Sequence, residues 1–171
     1  HRDLMQKEFG YFTTTFRNTE LIYQDRLSDI IFEIEGFKTI ITEGVDRILQ
    51  WRSPLYAYKN YSKNVNLLLK YYQLADDIAF RFSNRDWPEY PLTVDKFIHW
   101  IDQLTLAEKG GKNLFLNLFM DYETFGEHQW ASTGIFDFMR HFPDAVLARE
   151  HLGFAHPKDI SHLANYQQES L

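Results

Sequence analysis

An acidic cluster with one histidine is the part of this sequence best equipped to do chemistry. Residues 121–128 read Asp-Tyr-Glu-Thr-Phe-Gly-Glu-His and follow a nearly all-apolar run at 114–120. A carboxylate at the rim of a buried sheet is costly unless it has a partner or a function. Asp121 is therefore a candidate active-site carboxylate. The plainer interpretation is that Asp121 caps the next helix or pairs with an arginine.

A second carboxylate, Glu20, follows a strand-like segment at residues 11–16. Nearby Arg17 could orient a carboxylate or bind a ligand, and Glu43 follows another strand-like segment. Glu20 as a surface glutamate and Arg17 as an ordinary surface cation are the plainer interpretations. Two carboxylates from different strand ends are the usual equipment for cleaving a glycosidic bond. Glu20 and Asp121 fit that description.

The same cluster could instead hold a divalent metal ion, since carboxylates and imidazole are both metal ligands. The carboxylates would come from Asp121, Glu123 and Glu127, and the imidazole from His128. Their spacing matches no specific metal motif, so we predict no metal. The sequence also lacks a glycine-rich phosphate loop and a nucleophile elbow.

Strand-like and helix-like segments alternate along the chain, which indicates an α/β fold with parallel strands and right-handed crossovers. In such folds, function collects at the carboxyl ends of the strands. Strands are predicted at 11–16, 37–42, 67–69, 114–120 and near Phe154. Helices are predicted at 1–9, 25–35, 74–82, 93–104, 132–140, 144–152 and from about 158, with a long functional loop at 46–66.

The composition is that of an ordinary globular domain of 171 residues, with 17% aromatic residues that could fill a core or line a sugar-binding groove. A net charge of -6 without a basic run argues against nucleic-acid binding. No apolar stretch approaches the roughly 20 residues of a membrane span. The absence of cysteine excludes thiolate chemistry and is compatible with a cytoplasmic location.

Two segments resemble signature regions of glycoside hydrolase family 57, in particular its α-amylase-like members. Residues 16–23, Phe-Arg-Asn-Thr-Glu-Leu-Ile-Tyr, resemble the region that carries the nucleophile, which would be Glu20. Residues 120–129, Met-Asp-Tyr-Glu-Thr-Phe-Gly-Glu-His-Gln, resemble the region that carries the general acid/base, which would be Asp121. Shorter familiar stretches lie at 42–44, 51–54 and 76–84, so the resemblance covers most of the chain.

This resemblance implies an incomplete (β/α)7 TIM-like barrel that cleaves α-glucosidic bonds with retention, without an organic cofactor. The expected substrate is an α-1,4-glucan or maltooligosaccharide, with Arg17, Glu123 and His128 as substrate-binding residues. Arg17 could also orient Glu20. A 4-α-glucanotransferase or branching enzyme of the same family is the nearest alternative. A non-catalytic carbohydrate-binding or interaction module is the alternative of another class.

The chain also departs from the family pattern, because the His-Gln-Pro region, the second signature region and the last one are absent. We therefore expect residues 1–171 to be a single partial domain, the central portion of a catalytic barrel. We expect such a fragment to have little hydrolytic activity of its own. Its open parallel edge would invite self-association.

Overall fold

The computed structural model describes residues 2–62, 64–108 and 113–160, apart from the side chains of residues 34 and 35. These residues form two compact units, which are described separately. The first unit comprises residues 2–71, 113–117 and 155–160, and the second comprises residues 72–108 and 118–154. Glu20 belongs to the first unit and Asp121 to the second. The single partial domain stays a prediction.

The first unit is built on a four-stranded sheet of order β1-β2-β4-β3. Strands β1, β2 and β4 run parallel, and β3 is antiparallel to β4. The α/β fold predicted from the sequence is confirmed, whereas the barrel stays a prediction. The elements are α1 (Arg2–Phe9), β1 (Thr15–Arg17), α2 (Asp25–Glu35), β2 (Thr39–Glu43), α3 (Asp46–Leu49), β3 (Tyr58–Lys59) and β4 (Asn66–Lys70).

Both faces of this sheet are buried, which explains why β4 reads as a continuous apolar run. Leu67 and Leu69 point into a cluster that includes Ile31 of α2 and Ile40 of β2. Leu68 packs on the opposite face with residues that include Ala57 and Ile160. Burying each leucine contributes about 1.5–3 kcal/mol, so β4 is the central element of the unit.

The region 46–66 is more ordered than the long loop predicted from the sequence. It contains α3 and β3, and Leu55, Tyr56 and Tyr58 are buried in it. Polar residues flank this short apolar run, and β3 is specified by its pairing with β4 rather than by a regular alternation of residue types.

The prediction of a buried parallel strand at 114–120 is wrong. These residues are half-buried and make a single parallel bridge, from Asn117 to Lys70. The reason is that β3 pairs with the first two residues of β4, and the N–H of Phe115 donates to the carbonyl of Leu55 at 2.7 Å. The edge of β4 that the predicted strand would have needed is thus largely occupied.

The second unit is helical. Helix α4 (Tyr72–Asp76) continues as a π-helical turn at Asp77–Arg81, and α5 (Val94–Ala107) and α6 (Ile135–Leu147) follow. Thr93 caps α5, whose helix was predicted at 93–104, by accepting a hydrogen bond from Lys96 N.

An aromatic cluster joins α5 to α6. The ring centroid of Phe97 lies 5.7 Å from that of Phe138 and 5.5 Å from that of Phe142.

The two helices predicted at 132–140 and 144–152 form one helix, because α6 runs through Pro143. Its buried residues, Ile135, Phe138, Phe142 and Val146, lie on both sides of the proline at helical spacing. Their burial outweighs the cost of the lost backbone hydrogen bond. No strand forms near Phe154, and only residues 158–160 of the last predicted helix, which overlap the turn Pro157–Asp159, are among the described residues.

Candidate active site

Glu20 follows β1 on a tight turn whose backbone is unusual. The turn spans Thr19–Leu21, with a φ of 53° at Glu20 and 55° at Leu21. Residues with a Cβ rarely adopt this left-handed conformation, and such strained residues cluster at functional sites. The Glu20 side chain is exposed whereas Leu21 is 5% exposed. The turn therefore presents the carboxylate to solvent while its neighbour is anchored in the core.

Hydrogen bonds hold this turn from within and from the adjacent strand. Leu21 N donates to Asn18 O at 3.1 Å, and the Asn18 side chain donates to Ile22 O at 3.1 Å. The hydroxyl of Thr42, in β2, donates to Leu21 O at 2.9 Å. Thr42 is 3% exposed, so water cannot readily replace this bond. The position of Glu20 is thus coupled to the neighbouring strand.

Other charged side chains lie at the carboxyl end of the same sheet. Arg17 is the last residue of β1 and is exposed. Glu43 and Lys70 are register partners at the ends of β2 and β4, and their side chains form an ion pair at 3.7 Å. The second carboxylate oxygen of Glu43 accepts from Gly44 N at 3.2 Å. The expectation that candidate residues lie at strand ends holds for Arg17 and Glu20 at the end of β1 and for Glu43 at the end of β2. It fails for Asp121, because the strand predicted at 114–120 does not form.

Asp121 begins the candidate loop of the second unit, directly before a turn at Tyr122–Thr124. Its side chain is exposed and makes no capping hydrogen bond to that turn. The structure therefore does not support helix capping as the role of Asp121.

The loop after Asp121 is folded on itself and attached to the π-helical turn. Gln129, which is 2% exposed, donates from its side chain to the carbonyl of Ala79 at 3.0 Å. That carbonyl lies near a helix end, where backbone acceptors lack helical partners. Within the loop, Gly126 N donates to Gln129 O, and Gln129 N donates to Thr124 O. The buried Gln129 side chain and these backbone bonds thus fix a loop whose charged residues are exposed.

The π-helical turn that supports this loop contains a half-buried ion pair. Arg81 donates from Nε to the carboxylate of Asp77 and from Nη2 to the carbonyl of Gln73. Burial raises the pKa of Asp77, and the neighbouring Arg81 opposes that shift. Such π-helical turns occur often at functional sites.

Glu123 and His128 are brought together by the fold of the loop. His128 N donates to Glu123 O at 2.9 Å, and both side chains are exposed. The imidazole of His128 lies 6.3 Å from the ring of Phe80, measured between centroids. Phe80, Tyr122 and Trp130 are themselves 64%, 95% and 66% exposed. The loop therefore offers carboxylates, an imidazole and exposed aromatic faces within one unit.

Among the described residues, no three His, Cys, Asp or Glu side chains are grouped so that they could hold a metal ion. Within the same part of the chain, no helix combines the length and apolarity needed to cross a membrane.

Sequence reasoning missed two residues that position these loops. Thr42 begins the family-like stretch at 42–44, in which only Glu43 was a candidate residue, and Gln129 ends the 120–129 segment. Buried polar side chains need hydrogen-bond partners, but a sequence does not tell which polar residues are buried.

Comparison with known proteins places the chain in a family. It matches the profile of glycosyl hydrolase family 57 over residues 1–170. It is also 46% identical over 160 residues to a protein of Methanocaldococcus jannaschii named "Putative alpha-amylase". That alignment covers 94% of this chain but 32% of the relative, so the chain spans about a third of that protein's length. The chain belongs to glycosyl hydrolase family 57, as the resemblance of its two signature-like segments predicted.

Proposed function

We propose that the protein carrying this chain is a retaining glycosidase that acts on α-1,4-glucans. Glu20 is the nucleophile and Asp121 is the general acid/base. The observation that carries the proposal is the turn at Thr19–Leu21, where a carboxylate sits on strained backbone at the carboxyl end of a parallel strand. Strain of this kind persists only where the surrounding structure enforces it, and it is common at active sites.

The reaction proceeds in two displacements. A carboxylate oxygen of Glu20 attacks the anomeric carbon while Asp121 donates its proton to the leaving glycosidic oxygen. The C–O bond breaks, the leaving sugar departs as a neutral alcohol, and a glycosyl ester on Glu20 remains. Asp121, now ionised, removes a proton from water, which attacks the anomeric carbon and releases Glu20. Two inversions give net retention.

The nature of the substrate is proposed from the family and the relative. The family consists of glycosyl hydrolases, and the name of the M. jannaschii relative points to α-1,4-linked glucan. Arg17, Glu123 and His128 are polar and exposed beside the two carboxylates in sequence, so they are suited to bind sugar hydroxyls. The exposed ring of Trp130 is suited to stack on the apolar face of a glucose unit.

Chemical rescue with azide tests both assignments in the complete protein. Azide can replace a missing nucleophile, and it can also attack a covalent intermediate without general-base help. With an aryl α-maltooligoside, Glu20→Ala is expected to yield the β-glycosyl azide, because azide enters where Glu20 attacked. Asp121→Ala is expected to yield the α-glycosyl azide, because azide attacks the ester formed on Glu20.

Two exposed glutamates provide matched controls. Glu33→Gln on α2 and Glu127→Gln in the 121–128 loop remove a carboxylate outside the proposed pair. Both controls are expected to keep activity within a few-fold of the parent, whereas Glu20→Gln and Asp121→Asn lose about 10²-fold or more. If the two rescued products had the opposite anomeric configurations, the roles of Glu20 and Asp121 would have to be exchanged.

The same pair of carboxylates would serve a 4-α-glucanotransferase or a branching enzyme, which differ in using a sugar instead of water as acceptor. Analysis of products from a single maltooligosaccharide separates the cases. Hydrolysis gives only shorter chains, whereas transfer also gives longer or branched ones. A non-catalytic binding module would bind glucan without cleaving it, and Glu20→Gln would not weaken that binding.

Two wider expectations belong to the same proposal. One is that the chain contributes to an incomplete (β/α)7 barrel in a cytoplasmic protein. The other is self-association through β1, which is the outer parallel strand of the sheet within the described part of the chain. Sedimentation over a range of protein concentrations tests the second expectation.

A further inference from the structure

We propose that Thr42 is a positioning residue for the Glu20 carboxylate. Its hydroxyl donates a hydrogen bond that fixes the strained turn on which Glu20 is presented. The inference rests on the proposed function, because it takes Glu20 to be the nucleophile.

The turn at Thr19–Leu21 needs an external restraint. Both Glu20 and Leu21 adopt the left-handed conformation, which is unfavourable for residues with a Cβ. The hydrogen bonds inside the turn, Leu21 N to Asn18 O and Ile22 N to Thr19 O, are both 3.1 Å long. They close the turn on itself, but they do not fix its orientation relative to the sheet.

Thr42 is placed by the strand register to supply that restraint. Arg17, the last residue of β1, pairs with Ile41 of β2. Thr42 comes one residue later, level with the point where the chain leaves β1 towards the turn. Its Oγ1 donates to Leu21 O at 2.9 Å, and the two residues are 3% and 5% exposed.

Burial makes this hydrogen bond specific. Without the hydroxyl, the carbonyl of Leu21 would be a buried acceptor without this partner, and the chain would rotate to find another donor. The orientation of that carbonyl is set by the ψ of Leu21 and the φ of Ile22, and Leu21 is bonded directly to Glu20. A displacement of about 1 Å of a reacting group can lower the rate by about 10²-fold.

The experiment compares Thr42→Ser, Thr42→Ala and Thr42→Val in the complete protein, with Thr39→Val as control. Thr39 is a buried threonine of the same strand, 1% exposed, and lies away from the turn. For each variant we measure kcat and KM on an aryl α-maltooligoside and the midpoint of thermal unfolding. Serine and alanine differ only by the hydroxyl oxygen, so this pair carries the test even if the valine variant does not fold.

Thr42→Ser is expected to keep kcat within about threefold of the parent, since it retains the donor. Thr42→Ala is expected to lower kcat by about 10- to 10²-fold with a much smaller change in KM, because the fault lies in the geometry of attack. Thr39→Val is expected to lower thermal stability at most and to leave kcat near that of the parent.

Equal kcat values for Thr42→Ser and Thr42→Ala would overturn the inference. A loss of kcat in Thr39→Val as large as that in Thr42→Ala would also overturn it, since the effect would then be one of general packing. Glu20→Gln is measured in parallel. If Glu20→Gln is fully active, the proposed function itself fails. If Glu20→Gln is inactive and Thr42→Ala is unimpaired, only the role of Thr42 fails.

Discussion

Replacement of Gly44 by alanine should destabilise the first unit, because the backbone there is packed too closely for a side chain. Gly44 follows β2 directly, and a Cβ at this position would lie 2.4 Å from the carbonyl oxygen of Lys70 and 3.3 Å from Cβ of Pro54. Real Cβ contacts are essentially never shorter than 3.0 Å. The ends of β2 and β4 would therefore have to separate by about 0.6 Å, which follows from the 2.4 Å and 3.0 Å distances.

The obstacle is main chain, so no side-chain rotation relieves it. Lys70 is the register partner of Glu43, and its carbonyl is held by the strand. Overpacking of this kind costs about 1–3 kcal/mol. Alanine also lowers the entropy of the unfolded chain, which offsets about 0.4–1 kcal/mol. With the middle values of both ranges, the free energy of unfolding should therefore fall by about 1.3 kcal/mol.

Urea unfolding monitored by circular dichroism measures this change. With a slope of about 2 kcal/mol per molar urea, the midpoint should fall by about 0.7 M. Gly153→Ala is the matched control, since a Cβ there meets nothing within 4 Å and its φ is not in the left-handed region. That variant should be as stable as the parent or slightly more stable. Equal midpoints for Gly44→Ala and Gly153→Ala would refute the packing argument.

Three further predictions concern the second unit. Gln129→Leu removes the donor to Ala79 O, so it should cost about 1–3 kcal/mol of stability and lower kcat, as denaturation and kinetics on an aryl α-maltooligoside would reveal. Phe97→Ala should cost about 3–5 kcal/mol in denaturant titrations by opening a cavity, whereas Leu106→Ala, at an exposed position of the same helix, should change stability by at most about 0.5 kcal/mol. Because burial raises the pKa of Asp77 above its ordinary value of 3.8, the folded state binds its proton more tightly than the unfolded state. The stability that this tighter proton binding contributes is therefore fully present below pH 3.8 and is lost as the pH rises through the raised pKa of Asp77. Unfolding of Asp77→Asn measured across that range should lack this loss, and an unchanged pH dependence would count against the assignment.

The sequence predicted well those elements whose signals are local. The left-handed Gly36 that ends α2 and the capping Thr93 of α5 are readable because glycine and threonine have specific conformational roles at helix ends. The family that residues 16–23 and 120–129 indicated was confirmed by the match of residues 1–170 to the family profile.

Prediction from the sequence failed where tertiary packing decides the secondary structure. Pro143 predicted a helix end, but buried residues on either side of it, Phe142 before and Val146 after, keep α6 continuous. The apolar run at 114–120 predicted a buried strand, but β3 already pairs with the start of β4. Neither outcome is encoded within a short window of sequence, since one depends on packing against α5 and the other on the pairing of β3 with β4.

The candidate site, too, could be predicted only where the signal is local. Glu20 and Asp121 could be nominated from residue type and position after a strand-like run. The left-handed backbone at Glu20 and Leu21 could not be predicted, because neither glutamate nor leucine favours such a conformation. The buried hydrogen bonds that Thr42 and Gln129 donate could not be predicted either, because they depend on which carbonyls the fold leaves without partners.

The most direct test of the account is to trap the covalent intermediate on the complete protein. A fluorinated α-glucosyl fluoride forms the glycosyl ester but slows its hydrolysis, so the adduct can be digested and mapped by mass spectrometry. The account predicts one added glycosyl group, located on Glu20 and absent from Glu20→Gln. An adduct on another carboxylate, or turnover with inverted anomeric configuration and no adduct, would contradict it.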